Sequence, residues 1–316
     1  FVSRLASDHV KVVLTGEGAD ELFLGYNRYR MTLWNQRLGW PYWALMPRAG
    51  RDAVRRSLVA LPKSMRRYAS RMFLGLEPGV RSLFLENFAV FPDAMRRDLI
   101  AGSDADGGRD PYRTMLACFA EGHGGLLDRL SRTDLQTYMH ELLMKQDQMS
   151  MAASIESRVP FLDDSIVEHV AALPGRLKLR GWQTKAIMRA AVAPYIPKAI
   201  LTRKKMGFPV PIGGWLRGSH QSVVDEFVLG GRARERQLFD HAAVDRLVAE
   251  HRSGARDHGD RLWLLVNLEM WQRIFMDGEE PARVMRPVGR RVSVSYADSL
   301  GQDGRTVATH FGRSPA

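Results

Sequence analysis

One segment narrows the choice of folds more than any other. Val10-Lys11-Val12-Val13-Leu14 is followed at once by Thr15-Gly16-Glu17-Gly18-Ala19-Asp20-Glu21. The first five residues are a short, β-branched run ending at glycine, which suits a buried strand rather than a helix. A helix is predicted over Ala19–Tyr29, with Asp20 and Glu21 in its first turn, where they favour the macrodipole. A strand, a glycine-bearing turn and a helix form a recurrent unit. In open α/β sheets, ligands gather at such a turn, outside the carboxyl end of the strand.

The rest of the chain reads mainly as helix. From Met31 to about Asp128 the spacing is helical, with breaks predicted at Pro41, Pro47, Pro62, Pro78, Pro92 and Gly107-Gly108. Leu130–Ser157 is a long helical stretch interrupted near Asp147. Its methionines, Met149 and Met151 included, are expected in the core. Asp163 or Asp164 caps a helix over Ser165–Leu173, which Pro174 ends. Further helices are predicted over Lys185–Val192, Ala242–Arg252 and Asp260–Phe275, with a basic loop over Arg203–Pro211. One domain is expected over 1–280 and a polar, mobile tail over 281–316.

Lysine and arginine outnumber aspartate and glutamate by 46 to 35, a formal net charge of +11. Much of the excess lies in Arg48, Arg51, Arg55, Arg56, Lys63, Arg66, Arg67 and Arg71. A nucleic-acid surface and a solvated helix face both produce this pattern. No RNA-binding aromatic signature or zinc finger accompanies it, so nucleic acid is not the expected partner. A basic, non-catalytic nucleic-acid-binding module stands as the alternative from another class. The lone cysteine, Cys118, excludes an internal disulfide and a Cys-based zinc cluster. It fits a reducing, cytoplasmic setting, and its apolar neighbours predict a buried, inert thiol. No apolar run approaches the ~18 residues of a membrane span. The nine histidines form no H-x-x-x-H or H-E-x-x-H pair, so catalytic zinc is not expected.

The chemistry-bearing residues begin at the first turn. Gly16 and Gly18 let the backbone bend and a ligand approach closely, and helix-start N–H groups receive anionic oxygens. Three carboxylates, Glu17, Asp20 and Glu21, would repel a bare phosphate. A divalent cation between them removes the conflict, since Mg²⁺ binds one or two carboxylates together with substrate phosphates. An acidic helix start without a ligand remains the plain alternative. Glu21 stands where a dinucleotide fingerprint needs its third glycine, and no G-x-x-x-x-G-K-[ST] occurs. Lys185, Arg203, Lys204 and Lys205 either balance charge near a phosphate or are ordinary solvated residues.

Taken together, three collinear segments resemble the asparagine synthetase domain family. They are Val13-Leu14-Thr15-Gly16-Glu17-Gly18-Ala19-Asp20-Glu21-Leu22-Phe23-Leu24-Gly25-Tyr26, the run Asp147 to Asp163, and Leu173-Pro174 through Lys185-Ala186-Ile187-Met188-Arg189 to Lys205-Met206-Gly207-Phe208. The resemblance covers roughly residues 10–275. It implies an α/β fold of the ATP-pyrophosphatase type (adenine nucleotide alpha hydrolase-like), predominantly helical over this stretch. It implies ATP-dependent activation of the aspartate side-chain carboxylate as an acyl-adenylate, which ammonia then converts to asparagine. In glutamine-dependent members, the resemblance implies, the ammonia comes from an N-terminal glutaminase domain with a cysteine nucleophile.

By the same resemblance, Thr15, Gly16 and Gly18 contact ATP. Glu17 serves adenylate formation, Asp20 binds Mg²⁺, and Lys185 stabilises the adenylation transition state. Thr15 departs mildly from the more usual serine and keeps the hydroxyl. The larger departure is the missing pyrophosphate loop, S-G-G-x-D-S. With Phe1 in place of Met, this reads as a fragment truncated inside its catalytic domain and inactive alone. Related amidotransferases and β-lactam synthetase act on other carboxylates and remain alternatives, and a homodimer is an open partner.

Overall fold

The computed structural model describes residues 2–100, 110–203 and 210–286. The Gly107-Gly108 break, Lys204, Lys205 and most of the expected tail lie outside the described residues. The chain divides into two compact units, one within residues 1–208 apart from 98–101, the other comprising 98–101 and residues from 209 onward.

The α/β expectation is corrected by the structure. Among the described residues the only sheet has two strands, β1 (Val12–Leu14) and β2 (Glu156–Arg158). They pair in parallel with Val13 opposite Ser157. Nearly everything else with regular structure is helical. An adenine nucleotide alpha hydrolase-like fold needs a larger, covered parallel sheet, and six strand residues do not make one. The physical reason is in the pattern. Outside Val10–Leu14, apolar residues recur at helical rather than strand spacing, so burial is mostly helix against helix. Nor is β1 the buried strand expected, since Val12 is 41% exposed and Leu14 72%.

The helix predicted over Ala19–Tyr29 is two helices, Ala19–Leu22 and Asn27–Leu45. Leu24 adopts φ +58°, the left-handed region, and ends the first after one turn. That conformation costs a branched residue about 1–2 kcal/mol. It is offset by burial, because Leu24 is fully buried with Tyr29, Phe84, Leu127, Leu130 and Leu179. Pro41 does not break its helix. It is exposed, so the carbonyl it leaves unpaired can face water. Pro47 and Pro62 instead immediately precede helices. The stretch over Leu130–Ser157 breaks at Thr137, between helices Leu126–Gln136 and Tyr138–Met151. Met139 is buried, but Met149 and Met151 are exposed, against the core expectation. Asp163 is the cap predicted for the helix Asp164–Ala172, accepting from the Ser165 amide at 3.1 Å. Cys118 is half-buried.

The basic stretch is partly consumed within its own unit. Arg51 is buried, donates to the Met46 carbonyl at 2.9 Å and pairs with Glu77 at 3.2 Å. Arg55 pairs with the same Glu77 and with Asp52 at 3.0 Å. Among the described residues no helix is long and apolar enough to cross a membrane.

In the second unit, helices Ile212–Arg217, Gln221–Phe227, His241–Arg252 and Gly259–Trp271 bury Leu216, Val224, Leu262 and Val266. His251 is fully buried, and its Nδ1 accepts from the His258 amide at 3.1 Å. Desolvation, with Arg217 nearby, holds its pKa below the ordinary 6.5. The unfolded chain therefore takes up a proton that the folded chain resists. The resulting stability is present above about pH 6.5 and is lost as pH falls through the lowered folded value. Urea unfolding followed from pH 7.5 to 4.5 is expected to show this acid limb. His251→Gln, which cannot titrate there, should flatten it, and an unchanged limb would acquit His251.

Candidate active site

The site is built on the short sheet. The Thr15 amide donates to the Arg158 carbonyl at 2.9 Å, carrying the β1–β2 pairing one residue further. From the helix Tyr138–Met151, Gln146 Nε2 donates to Thr15 Oγ1 at 3.0 Å and to Ser157 Oγ at 2.5 Å. One amide thus holds a hydroxyl at the end of β1 and another on β2.

The two glycines of the turn do different work. Gly18 has φ +84°, and a Cβ there would run into Leu162, whose Cγ lies 2.6 Å from that point. Only glycine meets both conditions without strain. At Gly16 a Cβ would meet nothing within 4 Å, so this is where the turn is open. The helix that follows has only four residues, which leaves little macrodipole for the anion argument made from sequence.

The three carboxylates of the turn part company. Glu21 is buried, its Oε1 accepts from the Tyr26 hydroxyl at 2.6 Å, and burial raises its pKa. It therefore belongs to the core. Glu17 and Asp20 stay half-buried at the surface. Behind Glu21, Arg28 pairs with buried Asp134 at 2.8 Å, and Tyr29 donates to the same carboxylate. Desolvation nevertheless pushes Asp134 up to about 6.

Lys185 arrives from far along the chain. Its Nζ lies 3.1 Å from Asp20 Oδ1, with the two side chains 18% and 23% exposed. Lys185 itself has φ +53° and sits just before the helix Ala186–Val192. A non-glycine residue held in that region is a strained position, and such positions cluster at functional sites. Gly25 makes the pairing fit, because a Cβ there would overlap both Asp20 Oδ1 and Lys185 Cε.

The structure thus brings Asp20 and Lys185 together, with Thr15, Gly16, Glu17 and Gly18 on the adjoining turn. Arg203 is described, but no side-chain contact ties it to this pair. Sequence reasoning missed Gln146 and Ser157 as supports and Gly25 as the spacer. Gly25 stood inside the first motif, where its glycine was a usable signal. Nothing in the helical spacing around Gln146 marks it.

The arrangement is that of a carboxylate and a cation beside an open glycine turn. Comparison with known proteins gives the class: the family described as asparagine synthase matches residues 1–273, and the chain belongs to that family. A protein of Mycobacterium tuberculosis (strain ATCC 25618 / H37Rv), provisionally named a glutamine-hydrolyzing asparagine synthetase, is 34% identical over 302 residues, covering 91% of this chain and 43% of its own length. Asparagine synthetase (glutamine-hydrolyzing) 1 of Bacillus subtilis (strain 168) is 30% identical over 277 residues, 87% of this chain and 42% of that protein. Amidase chry2 of Gibberella zeae is 28% identical over 258 residues, 74% of this chain and 37% of that protein. The chain therefore spans less than half the length of these relatives. No solved structure matches it.

Proposed function

We propose that this chain contributes part of the synthetase site for glutamine-dependent asparagine formation by the full-length protein. An aspartate side-chain oxygen attacks the α-phosphorus of ATP, the bond to the bridging oxygen breaks, and pyrophosphate leaves. Ammonia then attacks the acyl carbon and AMP departs, giving asparagine. The observation that carries this reading is the 3.1 Å approach of Lys185 to Asp20 beside the Thr15–Gly18 turn, in a chain of this family.

Each residue has a defined task in the proposal. Thr15, Gly16 and Gly18 receive the nucleotide, with the Thr15 hydroxyl fixed by Gln146. Lys185 meets the negative charge that builds on the α-phosphate and the departing oxygens, where preorganised charge is most effective. Glu17, on the same turn and half-buried, serves adenylate formation.

The donor set suits magnesium. Glu17 and Asp20 are two hard oxygen donors close in sequence, both half-buried. That is the pattern for an ion completed by substrate phosphates and water. Asp20 would hold it, and bound magnesium supplies charge neutralisation at the pyrophosphate oxygens.

The ammonia-producing glutaminase, with its cysteine nucleophile, belongs in this reading to another part of the full-length protein, working in the cytoplasm. The test is pyrophosphate release with ATP, Mg²⁺, aspartate and ammonia. This chain alone, which lacks S-G-G-x-D-S, is expected to release none, and the full-length protein is expected to turn over. Turnover by the chain alone near that of an intact synthetase would show the pyrophosphate loop to be dispensable. Full-length protein that turns over only with another carboxylate would move the acceptor to that of the related amidotransferases.

A further inference from the structure

The helix Gly175–Lys178, the turn Arg180–Gln183 and the helix Ala186–Val192 bound a cavity of about 860 Å³. Three guanidinium-bearing residues line it, Arg176, Arg180 and Arg189, together with Gln183 and an apolar wall that includes Leu177 and Ile187. No carboxylate is among its described lining residues. We propose that this cavity is a second anion site, taking a phosphate monoester with an apolar body.

The backbone is set before any ligand arrives. Arg180 and Gln183 exchange backbone hydrogen bonds at 3.0 and 2.9 Å across a tight turn in which Gly181 takes φ +60°. Trp182 at the turn's tip stacks on Trp34, with ring centroids 5.5 Å apart and planes at 18°. Arg30 donates to the Trp182 carbonyl at 3.1 Å. The turn is therefore pinned from outside the cavity, and ordering it adds little to the cost of binding. Arg189 is fixed as well, since its Nε donates to the Thr184 carbonyl at 3.2 Å and its Nη1 to that of Leu201.

The electrostatics point the same way. Among the described residues, Arg176 and Arg180 have no ion-pair partner. Like charges collected in a concave, partly apolar site focus a positive potential. Planar guanidinium groups match the paired oxygens of phosphate. The apolar wall gives an organic body something to cover, which inorganic phosphate lacks. Neither Asp20 nor Lys185 lines the cavity, so the inference does not depend on the proposed function.

Calorimetric titration of the chain with phenyl phosphate and with inorganic phosphate tests it. Saturable binding of phenyl phosphate is expected, tighter than that of inorganic phosphate. Arg176→Gln and Arg180→Gln, both at exposed positions, should each weaken it on the order of tenfold. Gln183→Glu places a carboxylate among the guanidinium groups and should weaken it without removing an arginine. Lys185→Ala should leave it unchanged. Circular dichroism checks that each variant folds. The inference is overturned if the wild-type chain shows no saturable binding. It is also overturned if binding survives all three cavity substitutions, or if Lys185→Ala abolishes it, which would place the ligand at the Asp20–Lys185 pair.

Discussion

Asp20→Asn in the full-length protein is expected to reduce pyrophosphate release on the order of 10³-fold, the range for removing one preorganised charge from a transition state together with loss of a metal ligand. Asparagine keeps the size of the side chain and an oxygen that Lys185 can reach, so the loss isolates the charge. A capping role would make the substitution nearly neutral, because Asn caps as well as Asp. The geometry already argues against that role, since Gly18 occupies the cap position and Asp20 lies inside the helix. Circular dichroism should be unchanged while the pyrophosphate assay collapses. Near-normal release would remove Asp20 from the chemistry.

Lys185→Ala is the second large effect. A contact made mainly in the transition state lowers kcat and kcat/KM together and leaves nucleotide affinity little changed. The expected loss is on the order of 10²–10³-fold in kcat, by analogy with oxyanion donors. Lys185→Arg should rescue poorly. The lysine runs past Gly25, where not even a methyl group fits, and ends 3.1 Å from Asp20. A planar fork does not replace a compact ammonium in that space. ATP affinity by equilibrium titration and kcat by pyrophosphate release separate the roles. A variant raising only the KM for ATP would place Lys185 in ground-state binding instead.

The turn was legible in the sequence because its requirements are local. Gly18 declared a bend, and the acids after it declared a helix start. What sequence spacing could not reveal was the fate of each carboxylate. Glu21 turns inward to Tyr26 while Asp20 meets Lys185, and both partners lie outside the turn, beyond what its spacing specifies. The larger sheet was an implication of the family resemblance, not of the spacing. A β-branched run predicts a strand, but not how many partners it finds or whether its faces are covered. The prolines were read as breaks with mixed success. Pro47 and Pro62 do precede helices, whereas Pro41 is carried on an exposed helix face that tolerates it.

The span of the site's contacts sets an order of assembly. Thr15 meets Arg158 across 143 residues of sequence, and Gln146 reaches Thr15 across 131. The helices, by contrast, close over neighbours a few residues away. Joining distant segments requires loop-closure entropy to be lost before the contacts repay it, and such joins form slowly. Helices such as Asn27–Leu45 can therefore condense while β1 and β2 are still apart. A chain halted at that stage would hold most of its secondary structure and none of its site, and the meeting of the two strands is expected among the later steps of folding in this unit.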